Sequence, residues 1–327
     1  MPPLLDLARI ARRLVCEDPE REEAEYLCLR LYDLFVRTAP AAARAAVSEQ
    51  CVDLPCGLAL APALAATCLL DAPRTQAFAR GAMRAIETVR ERTAIRPLEV
   101  LYAGSGPFAP LAALLLPLLA HEQVTFTIID IHDDSVSSVS ELMAAFGFQA
   151  RTTVLCADAS TYKHGRDLHV VISETLQRGL NKEPLVSIRR NLQPQIAFGG
   201  VFVPHRVWVD LELLDCDTEL NPGGRGLHAG TSRLVARIVE LDDSGLTIMN
   251  EVVTIPAFGN DRFRLALATT VHVYDKCYVP RSTSGLTTPE ILWNVPSATS
   301  DVQLKFKYRL DPKPRLEWTI SPVAVSA

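Results

Sequence analysis

The sequence carries no excess of positive charge, and this restricts the partners that it can bind. Its 327 residues include 33 Lys and Arg against 38 Asp and Glu, for a formal net charge of -5 at pH 7. Non-specific binding to DNA or RNA depends on a basic face that displaces counterions from phosphates. The charge balance therefore predicts no nucleic-acid partner, and it is compatible with a small-molecule or peptide substrate.

Closely spaced cysteine and histidine pairs, the usual ligands of structural zinc, are also missing. None of the 8 cysteines stands in a C-x-x-C pair, and the 7 histidines show no H-x-x-x-H spacing. We therefore predict no metal site. In a chain of this length, such cysteines are typical of free thiols in a reducing compartment, which predicts a cytoplasmic protein.

Long apolar runs are missing as well. The uncharged segment 54–70 contains two prolines and is shorter than the ~20 residues that span a bilayer. Residues 1–15 carry three arginines and lack both the apolar core and the cleavage site of a signal peptide. We expect a buried helix at 54–70 and no membrane association.

The first part of the chain has the apolar spacing of helices. Asp18 and Pro19 form a typical helix start, with a capping carboxylate followed by a proline at the first helical position. Apolar residues then recur at helical spacing over 21–44 and again over 73–92. The pattern predicts an N-terminal helical extension over residues 1–95.

The middle of the chain alternates between strands and helices. Four apolar segments have the character of buried strands: residues 98–102, 124–130, 152–156 and 168–173. Helical segments lie between and after them. This alternation predicts βαβ units and a Rossmann-like α/β domain with a parallel sheet over residues 96–204.

Beyond Gly199 and Gly200 the helical pattern stops. The remaining apolar segments have strand character, with turn residues between them, from residue 201 to residue 320. We place a boundary near Pro204 and predict an all-β, barrel-like substrate domain over residues 205–327.

A glycine-containing turn joins the first strand of the α/β region to the next helix. Its core is Ala103-Gly104-Ser105-Gly106. The two glycines let the backbone turn tightly and approach a ligand, and the helix N-terminus offers unpaired N–H groups. The motif predicts a cofactor-binding loop, and a plain tight turn between a strand and a helix is the alternative.

Acidic residues follow the next two strands. Asp130, with Ile131 beside it, ends the second strand and is placed to accept ribose hydroxyls. Because Asp133 or Asp134 can cap the following helix, we expect Asp130 to be free. Asp158 and Ala159 follow the third strand, where an acceptor suits an adenine amino group. Loop capping is the simpler explanation of Asp158 alone.

A nicotinamide dehydrogenase is the competing interpretation of these motifs. Such an enzyme would normally show a third glycine in the turn and would not be followed by an all-β domain.

Several blocks in order resemble the protein arginine methyltransferases (PRMTs), in fragments spread over residues 73–320. The matching segments are PRTQAFARG from residue 73, VLYAGSGP, TIIDIH, DLHVVISET, LQPQIAFGGVFVP and STSGLTTPEILW. The resemblance implies S-adenosylmethionine as cofactor, with Arg74 paired to its methionine carboxylate. It also implies a substrate loop that ends at Trp293.

Glu174 and Glu183 give the most specific match, because they are nine residues apart, as are the two glutamates that hold the substrate guanidinium in PRMTs. A guanidinium is always protonated and presents five donors in one plane. Two carboxylates can hold it, draw the positive charge away from one nitrogen, and direct that nitrogen to the methyl group. The resemblance thus implies that both glutamates are catalytic.

The sequence also departs from the PRMT pattern. Tyr102 replaces an acidic residue, Phe108 stands where a third glycine would be, and Leu292 replaces a histidine. Arg178 lies four residues after Glu174. In a helix these two would pair, so that Arg178 would compete with a substrate cation or bind an acidic acceptor. A structural ion pair with a solvated Glu183 is the alternative to a substrate clamp.

Three functions remain open at this point. The first is N-methylation of a guanidinium, amine or imidazole group in a peptide or small metabolite. The second is methylation of an O, S or C acceptor in a natural product, and the third is a non-catalytic binding protein. A homodimer is compatible with the sequence, although residues 214–232 are short for the PRMT dimerisation arm.

Overall fold

The structure is a computed structural model that describes residues 2–215, 232–257, 263–292, 301–311 and 313–322. Its N-terminal elements are α1 (Pro3–Ala11, continued by a π-helical turn at Arg12–Cys16), α2 (Arg21–Thr38), α3 (Pro40–Ala45), β1 (Val52–Leu54), β2 (Gly57–Ala59), α4 (Pro62–Cys68) and α5 (Ala72–Arg92). Among the described residues, no helix is both long and apolar enough to cross a membrane.

Two helix predictions in this region need correction. The helix predicted over 21–44 is broken at Ala39, whose backbone is extended because Pro40 follows it. The buried helix predicted over 54–70 is wrong in its first half, where β1 and β2 form an antiparallel hairpin. Gly57 lies at this turn with a φ of 145°, a value that residues with side chains rarely adopt.

A five-stranded parallel sheet forms the centre of the molecule. Its strands are β3 (Leu98–Ala103), β4 (Val124–Asp130), β5 (Thr152–Cys156), β6 (Leu168–Ser173) and β7 (Ile196–Val203). They lie in the order β5-β4-β3-β6-β7. Successive strands are therefore added on one side of β3 and then, from β6 onward, on its other side. Ligands bind at such a switch point in strand order, beyond the carboxyl ends of the strands.

Three helices connect or flank these strands: α6 (Pro110–Leu115), α7 (Asp133–Ala145) and α8 (Leu185–Leu192). The strands predicted over 124–130, 152–156 and 168–173 are observed with those bounds. Residues 201–203 belong to β7, which pairs in parallel with β6. The chain leaves the parallel sheet only after Val203.

The second half of the described chain contains two antiparallel sheets. The larger comprises β8 (Arg206–Asp215), β9 (Ser232–Asp242), β10 (Gly245–Ile248), β12 (Phe263–Tyr274), β13 (Cys277–Tyr278) and β14 (Glu290–Ile291); the smaller comprises β11 (Val252–Ile255), β15 (Val302–Arg309) and β16 (Arg315–Pro322). The proposed domain boundaries at residues 95 and 204 lie in the short connections before β3 and before β8.

One continuous apolar core joins the helices, the parallel sheet and the β region. Phe108 is buried in it and contacts Tyr32 and Phe35 of α2, with ring centroids 5.3 and 5.2 Å apart. Phe35 also contacts Phe146 at the end of α7. The aromatic residue that replaces a third motif glycine thus anchors the N-terminal helices onto the α/β domain.

Arg189 of α8 fixes the junction between the α/β and β regions. Its buried guanidinium donates to the carbonyl oxygens of Pro204 (2.8 Å) and His205 (3.0 Å) and to the Asp243 carboxylate (2.7 Å). It also lies over the Phe202 ring, 4.6 Å from its centroid. A single side chain therefore satisfies the two carbonyls at which the chain passes from one sheet to the next.

We expect Arg189→Met to lower the free energy of unfolding by about 3 kcal/mol, because it leaves two carbonyl oxygens without their charged donor. Urea denaturation measures this difference. The matched control is Arg190→Met, since Arg190 is the next residue of α8 and is exposed. Equal stability of the two variants would contradict the role assigned to Arg189.

Candidate functional site

A cavity opens at the carboxyl ends of β3 and β6, where the strand order switches. The glycine turn lines it, and Gly104 and Gly106 have φ values of 68° and 62°. A Cβ on Gly104 would overlap the methyl group of Thr175, and one on Gly106 would lie 3.1 Å from the Cβ of Ala65. Both glycines are therefore required by backbone angle and by close contact.

The hairpin and α4 form a cover over this cavity, which sequence reasoning missed. Leu58 of β2 lines the cavity, and its N–H donates to the carbonyl oxygen of Lys182 at 2.8 Å. Asp53 of β1 pairs with Lys313 of the β region at 2.5 Å. The cover is thus tied both to the loop after β6 and to the β region. The prolines and glycine within 54–70 were the available signal for it.

Asp130 is not free, contrary to the expectation from sequence. Its Oδ2 accepts the N–H of Gly106 at 2.8 Å. Its Oδ1 accepts the backbone N–H of His132 at 3.0 Å and lies 3.1 Å from the His132 Nδ1. The N-cap residue of α7, His132, makes no side-chain capping bond, and Asp133 and Asp134 lie inside the first turn of the helix. Asp130 therefore organises the glycine turn and the start of α7 together.

Asp158 lies at the same edge of the sheet, beyond β5. Its Oδ1 accepts the N–H of Ser160 at 2.8 Å, so the loop-capping explanation applies to that oxygen. Asp158, Ala159 and Ile131 line the cavity, whereas Ala103 is buried within β3 and does not. Asn191 of α8 holds this loop in place by donating to the carbonyl oxygen of Ala159 at 3.0 Å.

Arg74 and Glu174 form a buried ion pair in the cavity. The Nε of Arg74 donates to Oε1 of Glu174, and Nη2 donates to the Glu174 carbonyl oxygen at 2.9 Å. The two side chains are only 11% and 12% exposed. Asp71 caps α5 through the N–H of Arg74, which fixes the first turn of the helix. Although burial opposes it, the Glu174 carboxylate raises the pKa of Arg74, so this guanidinium remains charged.

Glu183 faces the same cavity and is buried, not solvated as the alternative explanation supposed. Burial raises the pKa of its carboxyl to about 7, and Arg74 and a hydrogen bond from Gln177 oppose that rise. Burial likewise raises the pKa of the Glu174 carboxyl, against the opposing charge of Arg74. The described lining of the cavity thus places one arginine, Arg74, beside two buried glutamates, with Asp130 and Asp158 as further carboxyl groups.

The β region holds the loop between the two glutamates. The N–H of Gly179 donates to Oγ1 of Thr269 at 2.7 Å, and Lys182 N–H donates to the carbonyl oxygen of Pro314 at 2.7 Å. The hydroxyl of Tyr308 donates to the carbonyl oxygen of Leu180. Through these contacts the β region positions Glu183, and none of its described residues lines the cavity.

The raised pKa of Glu183 has a consequence for stability. Because the folded state binds this proton more tightly than the unfolded state, stability should fall as pH rises from the ordinary pKa of 4.5 to about 7. The difference attributable to Glu183 is about 3 kcal/mol. Urea unfolding at about pH 5 and about pH 8 measures it, and Glu183→Gln should reduce the fall in stability by about this amount. A slope unchanged by Glu183→Gln would refute the assignment.

Comparison with known proteins gives the fold. No protein-family model and no curated protein matches the sequence. A chain of the Trypanosoma brucei PRMT1 enzyme–prozyme heterotetrameric complex with AdoHcy matches with a TM-score of 0.52 at 11% identity, over 79% of this chain and 92% of that chain. The chain has the fold of a protein arginine methyltransferase. The crystal structure of PRMT6 matches with a TM-score of 0.47 at 12% identity, over 74% of this chain and 95% of that chain.

The predicted fold class is therefore confirmed: a Rossmann-like domain, followed by an antiparallel β region and preceded by helices. Within this PRMT fold, Arg178 does not pair with Glu174. The first helical element after Glu174 is a 3-10 turn at Arg178–Leu180, so the two residues do not share an α-helix. The Arg178 Nε lies 4.0 Å from Oε2 of Glu290, with both side chains exposed. The cation beside Glu174 is Arg74, and Trp293 lies outside the described residues.

Two further uncharged, titratable residues line the cavity, Tyr102 and Cys68. Tyr102 is buried at the end of β3, and burial together with the Glu174 charge raises its pKa, so its phenol is neutral. Cys68 of α4 also lines the cavity, and burial raises the pKa of its thiol. Sequence reasoning missed Cys68, because nothing in segment 54–70 indicated which residues face the site.

Proposed function

We propose that this chain is an S-adenosylmethionine-dependent methyltransferase acting on nitrogen. Its acceptor would be a guanidinium, amine or imidazole group of a peptide or small metabolite. One observation carries the proposal: a single cavity at the switch point joins a glycine turn, two aspartates and a buried arginine to a pair of buried glutamates. Fold likeness to a PRMT1 structure in complex with AdoHcy supports the same cofactor.

The residues of the cavity fit such a cofactor. The turn at Gly104 and Gly106 leaves no side chain between backbone and ligand, Asp130 and Asp158 offer acceptors for ribose and adenine, and Arg74 is a buried cation suited to a carboxylate. When bound, S-adenosylmethionine supplies an electrophilic methyl group. The protein's part is to hold the acceptor nitrogen in line with that group and to exclude water.

Glu174 and Glu183 would position the acceptor. Two buried carboxylates attract a cationic group and orient its planar donors. Glu183 suits a second task, because a carboxyl with a pKa near 7 is poised to take up a proton at neutral pH. Its carboxylate oxygen is therefore the proposed acceptor of the proton that the methylated nitrogen loses.

Mass spectrometry of reaction products tests the proposal. Full-length protein is incubated with S-adenosylmethionine and peptides that offer arginine, lysine or histidine, in parallel with free small-molecule amines. We expect a mass gain of one methyl group, located on nitrogen by fragmentation. A methyl group located on O, S or C would instead support the natural-product alternative.

A non-catalytic role is the second candidate, and the Arg74–Glu174 pair favours it. A resident guanidinium already donates to Oε1 of Glu174, the carboxylate that would hold a substrate guanidinium. The matching structure joins an enzyme to a prozyme, so the fold is compatible with either role. Cofactor binding without transfer to any acceptor would support this candidate. With either function, we also propose a cytoplasmic location and a homodimer.

A further inference from the structure

The Asp130 carboxylate has little remaining capacity to accept hydrogen bonds. A carboxylate offers about four lone-pair positions. Three contacts already use Asp130: the N–H of Gly106, the N–H of His132 and the His132 Nδ1. The vicinal hydroxyls of a ribose present two donors. Asp130 alone therefore cannot accept both of them without giving up a contact that holds the glycine turn or the start of α7.

His132 carries an acceptor that no other group uses. Its side chain is 10% exposed and lines the cavity together with Asp130. Its Nε2 is buried and has no hydrogen-bond partner among the described residues. Buried polar atoms are nearly always paired, so an unpaired ring nitrogen on a side chain that lines the cavity points to a partner that the ligand supplies.

The contact with Asp130 fixes the chemistry of that nitrogen. A carboxylate only accepts hydrogen bonds, so the His132 Nδ1 must carry the proton in the 3.1 Å contact with Oδ1. In the neutral ring, Nε2 is then an acceptor. A hydroxyl group is the donor that such a nitrogen suits, and ribose brings one more hydroxyl than Asp130 has room for.

We infer that Asp130 and His132 divide the recognition of the ribose, with one hydroxyl bound by the remaining lone pair of Asp130 and the other donating to Nε2 of His132. This inference rests on the proposed cofactor. It makes His132 a cofactor-binding residue and makes the Asp130–His132 pair a single unit, in which the carboxylate orients the ring that contacts the ligand.

Titration calorimetry with S-adenosylhomocysteine and its 2′-deoxy and 3′-deoxy analogues tests the division. His132→Asn retains a donor near the Nδ1 position and lacks the distal acceptor, whereas Gln reaches the Nε2 position. We expect His132→Asn to weaken S-adenosylhomocysteine binding about tenfold and His132→Gln to retain most of the affinity. One of the two deoxy analogues lacks the hydroxyl that donates to Nε2, and His132→Asn should not weaken the binding of that analogue further. His121→Asn, at an exposed position outside the cavity, is the control.

The inference is overturned if His132→Asn weakens all three ligands by one common factor, or weakens none. If the wild-type protein binds none of them, the proposed function fails as well, so the two failures are distinguishable. A second measurement needs no substitution. In the wild-type protein, the ¹⁵N resonance of the His132 Nε2 should move upfield on adding S-adenosylhomocysteine, and an unmoved resonance would also overturn the inference.

Discussion

Replacing Glu174 with glutamine should lower the rate of methyl transfer by about 10²–10³, because the acceptor cation loses one of its two buried counter-charges. The glutamine carbonyl still accepts from Nε of Arg74, and the backbone carbonyl still accepts from Nη2. Affinity for S-adenosylhomocysteine should therefore change by no more than about threefold. Single-turnover kinetics and calorimetry measure the two quantities separately.

Glu290→Gln is the matched control for this substitution. Glu290 lies beside the same loop, near Arg178, but its side chain is exposed and lies outside the cavity lining. Its replacement should leave transfer close to the wild-type rate. Transfer that survives Glu174→Gln at the wild-type rate would show that Glu174 does not hold the acceptor.

Replacing Arg74 with methionine should produce the largest loss of stability at the site. The substitution leaves the buried Glu174 carboxylate without its partner, and breaking a buried ion pair from one side costs about 3–5 kcal/mol. The double variant Arg74→Met with Glu174→Gln should recover a large part of that loss, because no buried charge is then left unpaired. Urea unfolding of the two single variants and the double variant gives the coupling energy.

Arg84→Met controls for effects on the helix. Arg84 lies on α5 as Arg74 does, but its side chain is 63% exposed and pairs with the exposed Glu87. This variant should differ from the wild-type protein by less than about 1 kcal/mol. Equal losses of unfolding free energy in Arg84→Met and Arg74→Met would contradict a buried pair that stabilises the site. So would a loss in the double variant of Arg74 and Glu174 that equals the sum of the two single losses.

The strands and the order of the candidate site residues could be predicted from the sequence, because they depend on local patterns. Buried parallel strands are continuous apolar runs, and β4, β5 and β6 have the predicted bounds. Since such strands end at one edge of the sheet, Gly104, Asp130, Asp158 and Glu174 were expected near each other. The cavity brings all four together.

The contacts that depend on tertiary structure could not be predicted. Arg74 and Glu174 are 100 residues apart, and nothing local indicates that they pair. Arg178 was the obvious partner by helical spacing, but the chain after Glu174 is not an α-helix. The hairpin at residues 52–59 was not predicted, because the apolar, alanine-rich composition of segment 54–70 is also typical of a buried helix.

Asp130 shows the same limit on a smaller scale. Its position at the end of β4 follows from the strand pattern, whereas its bond to Gly106 depends on the packing of two neighbouring β–α turns. His132 lies two residues beyond Asp130, yet its unpaired Nε2 becomes significant only when its burial in the cavity is known. Local sequence therefore indicates where a ligand binds better than it indicates which atoms bind it.

Calorimetric titration of the full-length protein with S-adenosylhomocysteine tests the central claim most directly, because every proposed role depends on one cofactor in this cavity. We predict one ligand bound per chain, with affinity strongly reduced by Gly104→Val, since a side chain at this position overlaps Thr175 and fills the turn. A folded wild-type protein that shows no binding, or that binds equally well after Gly104→Val, would contradict the account.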